Sequence, residues 1–260
     1  MILVNPVRLA LDAQGVALGI GVRAMRSVEV ARVMKSAGYD WLFIDLEHGP
    51  SSIETVFAIA VCALDVGIAP FVRVPRGDLG LAARCLDSGA LGIVMSHVDT
   101  AAEARACVEA LRFPPLGHRS ATGSYVQLGF RSGSTREALA VLERATMIVA
   151  MLETPAAIGN AARIAEVEGI DALLIGANDL SVEMGIPGEF DHERIAEAVR
   201  TASAACADAG KLLGIGGVNR PDLLKSFIRA GARMVLCGND LGLLIAAAEE
   251  RVRLVRASAA

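Results

Sequence analysis

Lysine is scarce in this sequence of 260 residues: Lys35, Lys211 and Lys225 are the whole complement. Long apolar runs are missing as well, none approaching the roughly 18–20 residues a membrane span needs. The opening MILVNPVRLALDAQG is broken by Arg8 and Asp12 and has no cleavage-type ending, so no signal peptide is expected. Five cysteines (Cys62, Cys85, Cys107, Cys206 and Cys237) form no Cys-x-x-Cys pair. Each falls in an apolar pattern, which predicts reduced core thiols in a cytoplasmic protein and neither a disulfide framework nor a zinc site. Arginine is spread without a basic run and the net charge is −4, which argues against a nucleic-acid partner.

What is present is alternation. With 53% hydrophobic and 21% charged residues the chain is globular. Apolar strand patterns at 16–22, 40–45, 69–74, 91–96, 147–152, 172–175, 212–215 and 234–237 alternate with helical patterns at 27–37, 51–66, 79–88, 100–111, 136–144, 156–167, 191–209 and 221–230. A short helix at 6–13 precedes them and a last one runs to about Arg256. Ser27 is read as a helix cap, Gly38 as a helix stop, and Pro155 and Pro221 as first-turn prolines. Residues 113–135, rich in Gly, Pro and Ser, follow neither period; a loop this long is usually functional or mobile. Eight strand–helix units without a composition break predict one (β/α)8 barrel domain. A doubly wound open sheet is disfavoured because no Gly-x-Gly-x-x-Gly turn follows the first strand.

Polar residues end these strands: Asp45, Glu47 and His48; Arg73; Ser96 and His97; Glu153; Asn178 and Asp179; Asn239 and Asp240. In a barrel they converge on the rim where active sites sit. Glu153 and Asp179 end consecutive strands, so their side chains start about 5 Å apart. Without a nearby cysteine such a pair suits a hard divalent ion, Mg2+ or Mn2+; the competing roles are helix-dipole partner and turn cap. His48 is the candidate general base, with Asp87 or Asp45 to orient it, against a histidine bonded to a backbone carbonyl. Arg73, on a buried strand, either holds a substrate carboxylate or developing oxyanion, or pairs with Asp45 or Glu47. No lysine ends a strand, which argues against a Schiff-base mechanism. Gly214, Gly216 and Gly217 admit a phosphate or a tight turn equally, and His97, His118 and His192 carry no pattern. Arg119, in the long loop, is read as solvated, with a substrate or neighbouring subunit within its reach.

The segments DWLFIDLEHGP (40–50), PFVRVP (70–75), CLDSGALGIV (85–94), FPPLGHRS (113–120), MLETPAAIGN (151–160) and VEGIDALLIGANDLS (167–181) together resemble the HpcH/HpaI aldolase family, the metal-dependent class II pyruvate aldolases. The resemblance implies a barrel of the phosphoenolpyruvate/pyruvate type, assembled as a homohexamer with its last helix packing on a neighbour. It implies Glu153 and Asp179 as ligands of Mg2+, Mn2+ or Co2+, His48 as base, Asp87 raising that base's strength, and Arg73 stabilising the transition state. The backbone at Asn178–Asp179 would hold the pyruvate carboxylate. Met151 stands where several members carry a substrate-contacting Gln, and the first strand lacks the Trp seen in some. The implied reaction joins or splits a small 2-oxo acid and an aldehyde through 4-hydroxy-2-oxo acids. Oxaloacetate decarboxylation, an acyl-CoA lyase reaction and a non-catalytic barrel are its rivals.

Overall fold

Period-two alternation along the apolar runs decides which side chains face the barrel axis. A computed structural model describes residues 3–131 and 133–259, with Gln14 described by its backbone alone. Eight strands, β1 (Ala17–Val22), β2 (Trp41–Asp45), β3 (Ala69–Val74), β4 (Gly92–Met95), β5 (Met147–Leu152), β6 (Ala172–Gly176), β7 (Leu212–Gly216) and β8 (Ala232–Asn239), pair in parallel in sequence order and close β8 onto β1. Odd residues of β2 and β3 (Trp41, Phe43, Phe71) join Val94, Met147, Val149, Met151, Ala172, Leu174 and Met234 in the core inside the barrel. Their even neighbours (Leu42, Ile44, Val72, Val74) pack outward against the helices with Ile93, Ile148, Leu173, Ile215 and Val235. Both faces are covered, which is why these strands read as continuous apolar runs.

The interior fills by matching large to small. Trp41 and Phe71 lie with ring centroids 5.4 Å apart. A Cβ at Gly19 would overlap the Trp41 ring and one at Gly92 the Phe71 ring. Helix α1 (Pro6–Gln14) closes the barrel floor: Val7 and Ala10 join the interior core, and the buried Asn5 side chain donates to the carbonyls of Leu91 and Ala145.

The remaining helices are α2 (Glu29–Ser36), α3 (Ile53–Val66), α4 (Leu79–Asp87), α5 (Ala101–Leu111), α6 (Thr135–Ala145), α7 (Pro155–Gly159) and α8 (Ala161–Ala165). After them come α9 (Ala177–Glu183), α10 (Glu193–Ala209), α11 (Pro221–Arg229) and α12 (Asp240–Ser258). Three differ from the periodicity. The predicted helix at 156–167 is two short helices meeting at Asn160, whose side-chain amide donates to the Asp99 carbonyl. Helix α9 follows β6 with no apolar repeat to announce it. Helix α2 begins without a side-chain cap, Ser27 instead offering its carbonyl to Val30 N–H. Segment 113–135 packs on the outer wall: Phe113, Tyr125 and Leu128 form a small core with Val141 and Leu142 of α6. Ser132 lies outside the described residues.

Gly92→Ala tests the interior match. Relief of glycine's backbone entropy returns up to about 1 kcal/mol, while overpacking against Phe71 costs about 1–3 kcal/mol. The expected outcome is a lower urea midpoint with unchanged m-value; an unchanged or raised midpoint contradicts the packing.

Candidate active site

Asp45 and Arg73 are register partners on β2 and β3, and both are buried. Arg73 Nε donates to Asp45 Oδ1 at 3.0 Å and Nη2 to Oδ2 at 2.6 Å. Arg73 Nη1 lies 3.1 Å from Glu47 Oε2, which also accepts from Ser96 Oγ at 2.9 Å. A buried charge without a partner costs several kcal/mol, and the two-pronged pairing offsets that cost. Burial acts to raise the Asp45 carboxyl. The Arg73 hydrogen bonds and charge, with N–H donors from His48 and Glu47, outweigh it and hold the group below the usual carboxylate range. Arg73 therefore makes the ion pair with Asp45 and Glu47 and still borders the cavity at the mouth.

His48 follows on the loop after β2. Its N–H, like that of Glu47, donates to Asp45 Oδ1 at 3.1 Å. Asp45 thus positions the backbone of this loop, not the imidazole. Gly49 completes the turn, because a Cβ there would overlap the Asp45 carbonyl oxygen. The half-exposed His48 ring has Nε2 at 3.8 Å from Glu47 Oε2. Asp87 is not brought to His48 within the chain. At the end of α4 it borders a surface cleft with Glu54, Phe57 and Arg84, outside the cavity that His48 lines. There its Oδ1 accepts from Arg119 Nη2 at 2.8 Å, and the Arg119 guanidinium stacks over Phe113, 4.7 Å from the ring centroid. Arg119 is buried, not solvated.

Glu153, one residue past β5, is fully buried. Its Oε2 accepts from His97 N–H at 2.9 Å, and its Oε1 has no hydrogen-bond partner. His97 holds a left-handed backbone conformation (φ 50°) that delivers this N–H, and its Nε2 lies 3.7 Å from the same oxygen. The Asp179 carboxyl, in the first turn of α9, interacts directly with Glu153. Gly176 makes room for the pair: a Cβ there would sit 2.7 Å from Glu153 Oε1. Burial and the adjacent Asp179 charge push the Glu153 carboxyl from 4.5 up to about 8.

A cavity of about 260 Å³ at the mouth brings Asp45, His48, Arg73, Met151, Asn178 and Asp179 together. That volume suits a metabolite of a few carbons. Two neighbouring carboxylates, one buried with an orphaned oxygen, fit a divalent cation. No cluster of three or more His, Cys, Asp or Glu is arranged for an ion among the described residues. The donor set is therefore that of a hard ion which takes its other ligands from water and substrate oxygens.

Residues 24–247 match the family model described as HpcH/HpaI aldolase/citrate lyase. The chain belongs to that family. It is 42% identical over 235 residues, 89% of this chain and 87% of the relative, to a 4-hydroxy-4-methyl-2-oxoglutarate aldolase of Hapsidospora irregularis. It is 31% identical over 255 residues, 98% and 94% of the two chains, to a 2-keto-3-deoxy-L-rhamnonate aldolase of Escherichia coli. The crystal structure of an HpcH/HpaI aldolase from Desulfitobacterium hafniense DCB-2 superposes with a TM-score of 0.90 at 25% identity, covering 96% of each chain.

Arg23 and His97 both stand outside the quoted family motifs. His97 is marked in the sequence only as a strand end, with nothing to tie it to Glu153. Arg23 does have a signal: it continues the inward parity of Ala17, Gly19 and Gly21 one step past β1.

The Glu153 shift has a stability consequence. A carboxyl raised on folding contributes stability that is fully present below its unfolded value of 4.5 and is lost as pH rises through about 8. In protein stripped of divalent cations, the Tm difference between wild type and Glu153→Gln falls across that window, and added Mg2+ or Mn2+ removes the fall. A difference flat with pH contradicts an uncompensated Glu153 carboxylate.

Proposed function

We propose that this protein is a metal-dependent aldolase, a carbon–carbon lyase that cleaves and forms 4-hydroxy-2-oxo acids through the enolate of pyruvate. The observation that carries it is the buried Glu153 oxygen with no partner, set against Asp179, which lines the cavity that His48 and Arg73 share. Glu153 and Asp179 would hold a divalent cation, Mg2+ or Mn2+, which when bound supplies Lewis acidity toward the 2-oxo and carboxylate oxygens of the pyruvate half.

The chain's own groups supply the rest. His48, half-exposed at the cavity, moves the proton: it takes one from the C4 hydroxyl in cleavage, or from the pyruvate methyl group in the forward direction. Arg73, fixed by Asp45, faces the charge that develops on the substrate oxygen. N–H groups at the start of α9, around Asn178 and Asp179, receive the substrate carboxylate. Met151 presents an apolar thioether where a hydrogen-bonding side chain would otherwise contact substrate. The two named relatives agree in the pyruvate half of their substrates and differ in the acceptor half.

A coupled assay for pyruvate release from a panel of 4-hydroxy-2-oxo acids tests the activity. Release stops with chelator and returns with Mg2+ or Mn2+, and His48→Ala lowers kcat by roughly 10²–10⁴-fold. Pyruvate appearing from oxaloacetate alone would identify a decarboxylase instead.

The assembly we propose is a homo-oligomer, a hexamer, built through α12. From Leu241 onward every described residue of this helix is exposed, including Leu244 (67%), Leu254 (57%) and Val255 (61%). An apolar groove lined by Leu18, Met25, Val33, Met34 and Tyr39 lies beside its first turn. A second copy of this chain supplies a helix of the right composition to fill that groove. Leu244→Glu with Val255→Glu is expected to lower the molar mass measured by light scattering toward that of one chain, and an unchanged mass removes α12 from the interface. The five cysteines, four of them buried, form no disulfide among the described residues, which is compatible with a reducing, cytoplasmic setting.

A further inference from the structure

Arg23 lines the mouth with its hydrogen-bonding capacity largely unspent among the described groups. Its guanidinium carries five N–H donors in a fork that matches a carboxylate. Its nearest acidic group is Asp45, with Nε 3.5 Å from Oδ2, and Nη2 reaches the His48 carbonyl only at 3.5 Å. Asp45 is chiefly engaged elsewhere: three donors from Arg73, Glu47 and His48 meet its Oδ1 and Arg73 Nη2 meets its Oδ2 at 2.6 Å, so Arg23 is left as the outer, longer partner. The Arg23 side chain is 48% exposed and lines the cavity with His48 and Met151.

Its main chain, by contrast, is held firmly. The carboxylate of Asp240, itself only 4% exposed, accepts the N–H groups of Arg23 (3.1 Å), Ala24 (3.0 Å) and Met25 (2.7 Å), along with that of Leu241. A buried acid that fixes three consecutive N–H groups is a costly device for a solvated surface arginine. It is an effective one for aiming a side chain from β1 into the mouth.

Position then decides what the fork meets. In the ring of eight strands β5, which carries Glu153, stands opposite β1, and β6 with Asp179 follows it. The pyruvate half of a substrate lies on the Glu153–Asp179 side, so Arg23 faces the other half. Two carboxylates on one side and a half-exposed, loosely held guanidinium on the other describe a ligand with an anionic group at each end.

We propose that Arg23 is a specificity-determining residue that binds a carboxylate carried on C4 of the 4-hydroxy-2-oxo acid, so that the favoured acceptor is itself a 2-oxo acid. This rests on the aldolase activity proposed above. In cleavage the C3–C4 bond breaks. The C4 hydroxyl proton passes to the base as C4 becomes the carbonyl of the released 2-oxo acid. The electron pair goes to C3, which takes up a proton and leaves as the methyl group of pyruvate.

The test compares 4-hydroxy-2-oxoglutarate, which carries the C4 carboxylate, with 4-hydroxy-2-oxopentanoate, which carries a methyl group there. Both are assayed with the full-length, Mg2+- or Mn2+-loaded enzyme. Wild type favours the diacid in kcat/KM. Arg23→Ala lowers the diacid/monoacid ratio on the order of 30- to 100-fold, mainly through KM for the diacid. Arg23→Lys, which keeps the charge and loses the fork, falls between, and Arg23→Gln follows Ala. A ratio unchanged by Arg23→Ala, or a wild type that favours the monoacid, overturns the assignment while leaving the aldolase intact. Exchange of pyruvate methyl protons with deuterium, measured on the wild type, separates the two failures. If exchange and cleavage of both substrates are absent, the aldolase activity is refuted and the role of Arg23 falls with it.

Discussion

The buried pair of Asp45 and Arg73 is the contact on which the mouth of this barrel depends. It joins β2 to β3 at one register step, and the remaining capacity of each partner organises a neighbour: Asp45 holds the N–H groups of Glu47 and His48, and Arg73 reaches Glu47. Buried ion pairs often add little net stability over apolar replacements. The value of this one lies in position, since it fixes the loop that carries the candidate base and holds a cation at the cavity wall. Removing either partner would strand the other in a place water does not reach.

Charge divides the mouth into two unlike halves. On the β2–β3 side the acids are answered by arginine, and the Asp45 carboxyl sits below its usual range. On the β5–β6 side burial and the neighbouring Asp179 charge outweigh the His97 N–H and the Arg73 charge, and the Glu153 carboxyl is pushed up to about 8. One fold thus drives two carboxylates in opposite directions, because Arg73 hydrogen-bonds directly to Asp45 and not to Glu153. The acid-rich half has the character of a cation site. Residues of both halves line one cavity.

Helix α12 breaks the pattern that the other helices follow. Its first residue, Asp240, is buried and pins the loop after β1, whereas the rest of the helix stands clear of the barrel. The groove that an eighth helix would ordinarily fill is left apolar beside it. Asp240 therefore links the β1 side of the mouth to the element proposed to contact another copy of the chain.

The sequence alone determined the number of strand–helix units, the parity that turns Trp41, Phe43 and Asp45 to one side and Leu42 and Ile44 to the other, and the placing of Arg73, Glu153 and Asp179 at strand ends. These follow from periods of 2 and 3.6 that a single chain carries locally. Helix α9, seven residues with no apolar repeat, and the break at Asn160 are too short or too irregular for either period to register. Only the tertiary structure decided which acid has a partner. Asp45 meets Arg73 because β2 and β3 pair in one register, while the Oε1 of Glu153 meets no donor. It also turned Asp87 to Arg119, outside the cavity that His48 lines, and brought Arg23 and Asp240 together across 217 residues. Such pairings depend on ring closure and cross-strand register, which no local window of sequence contains.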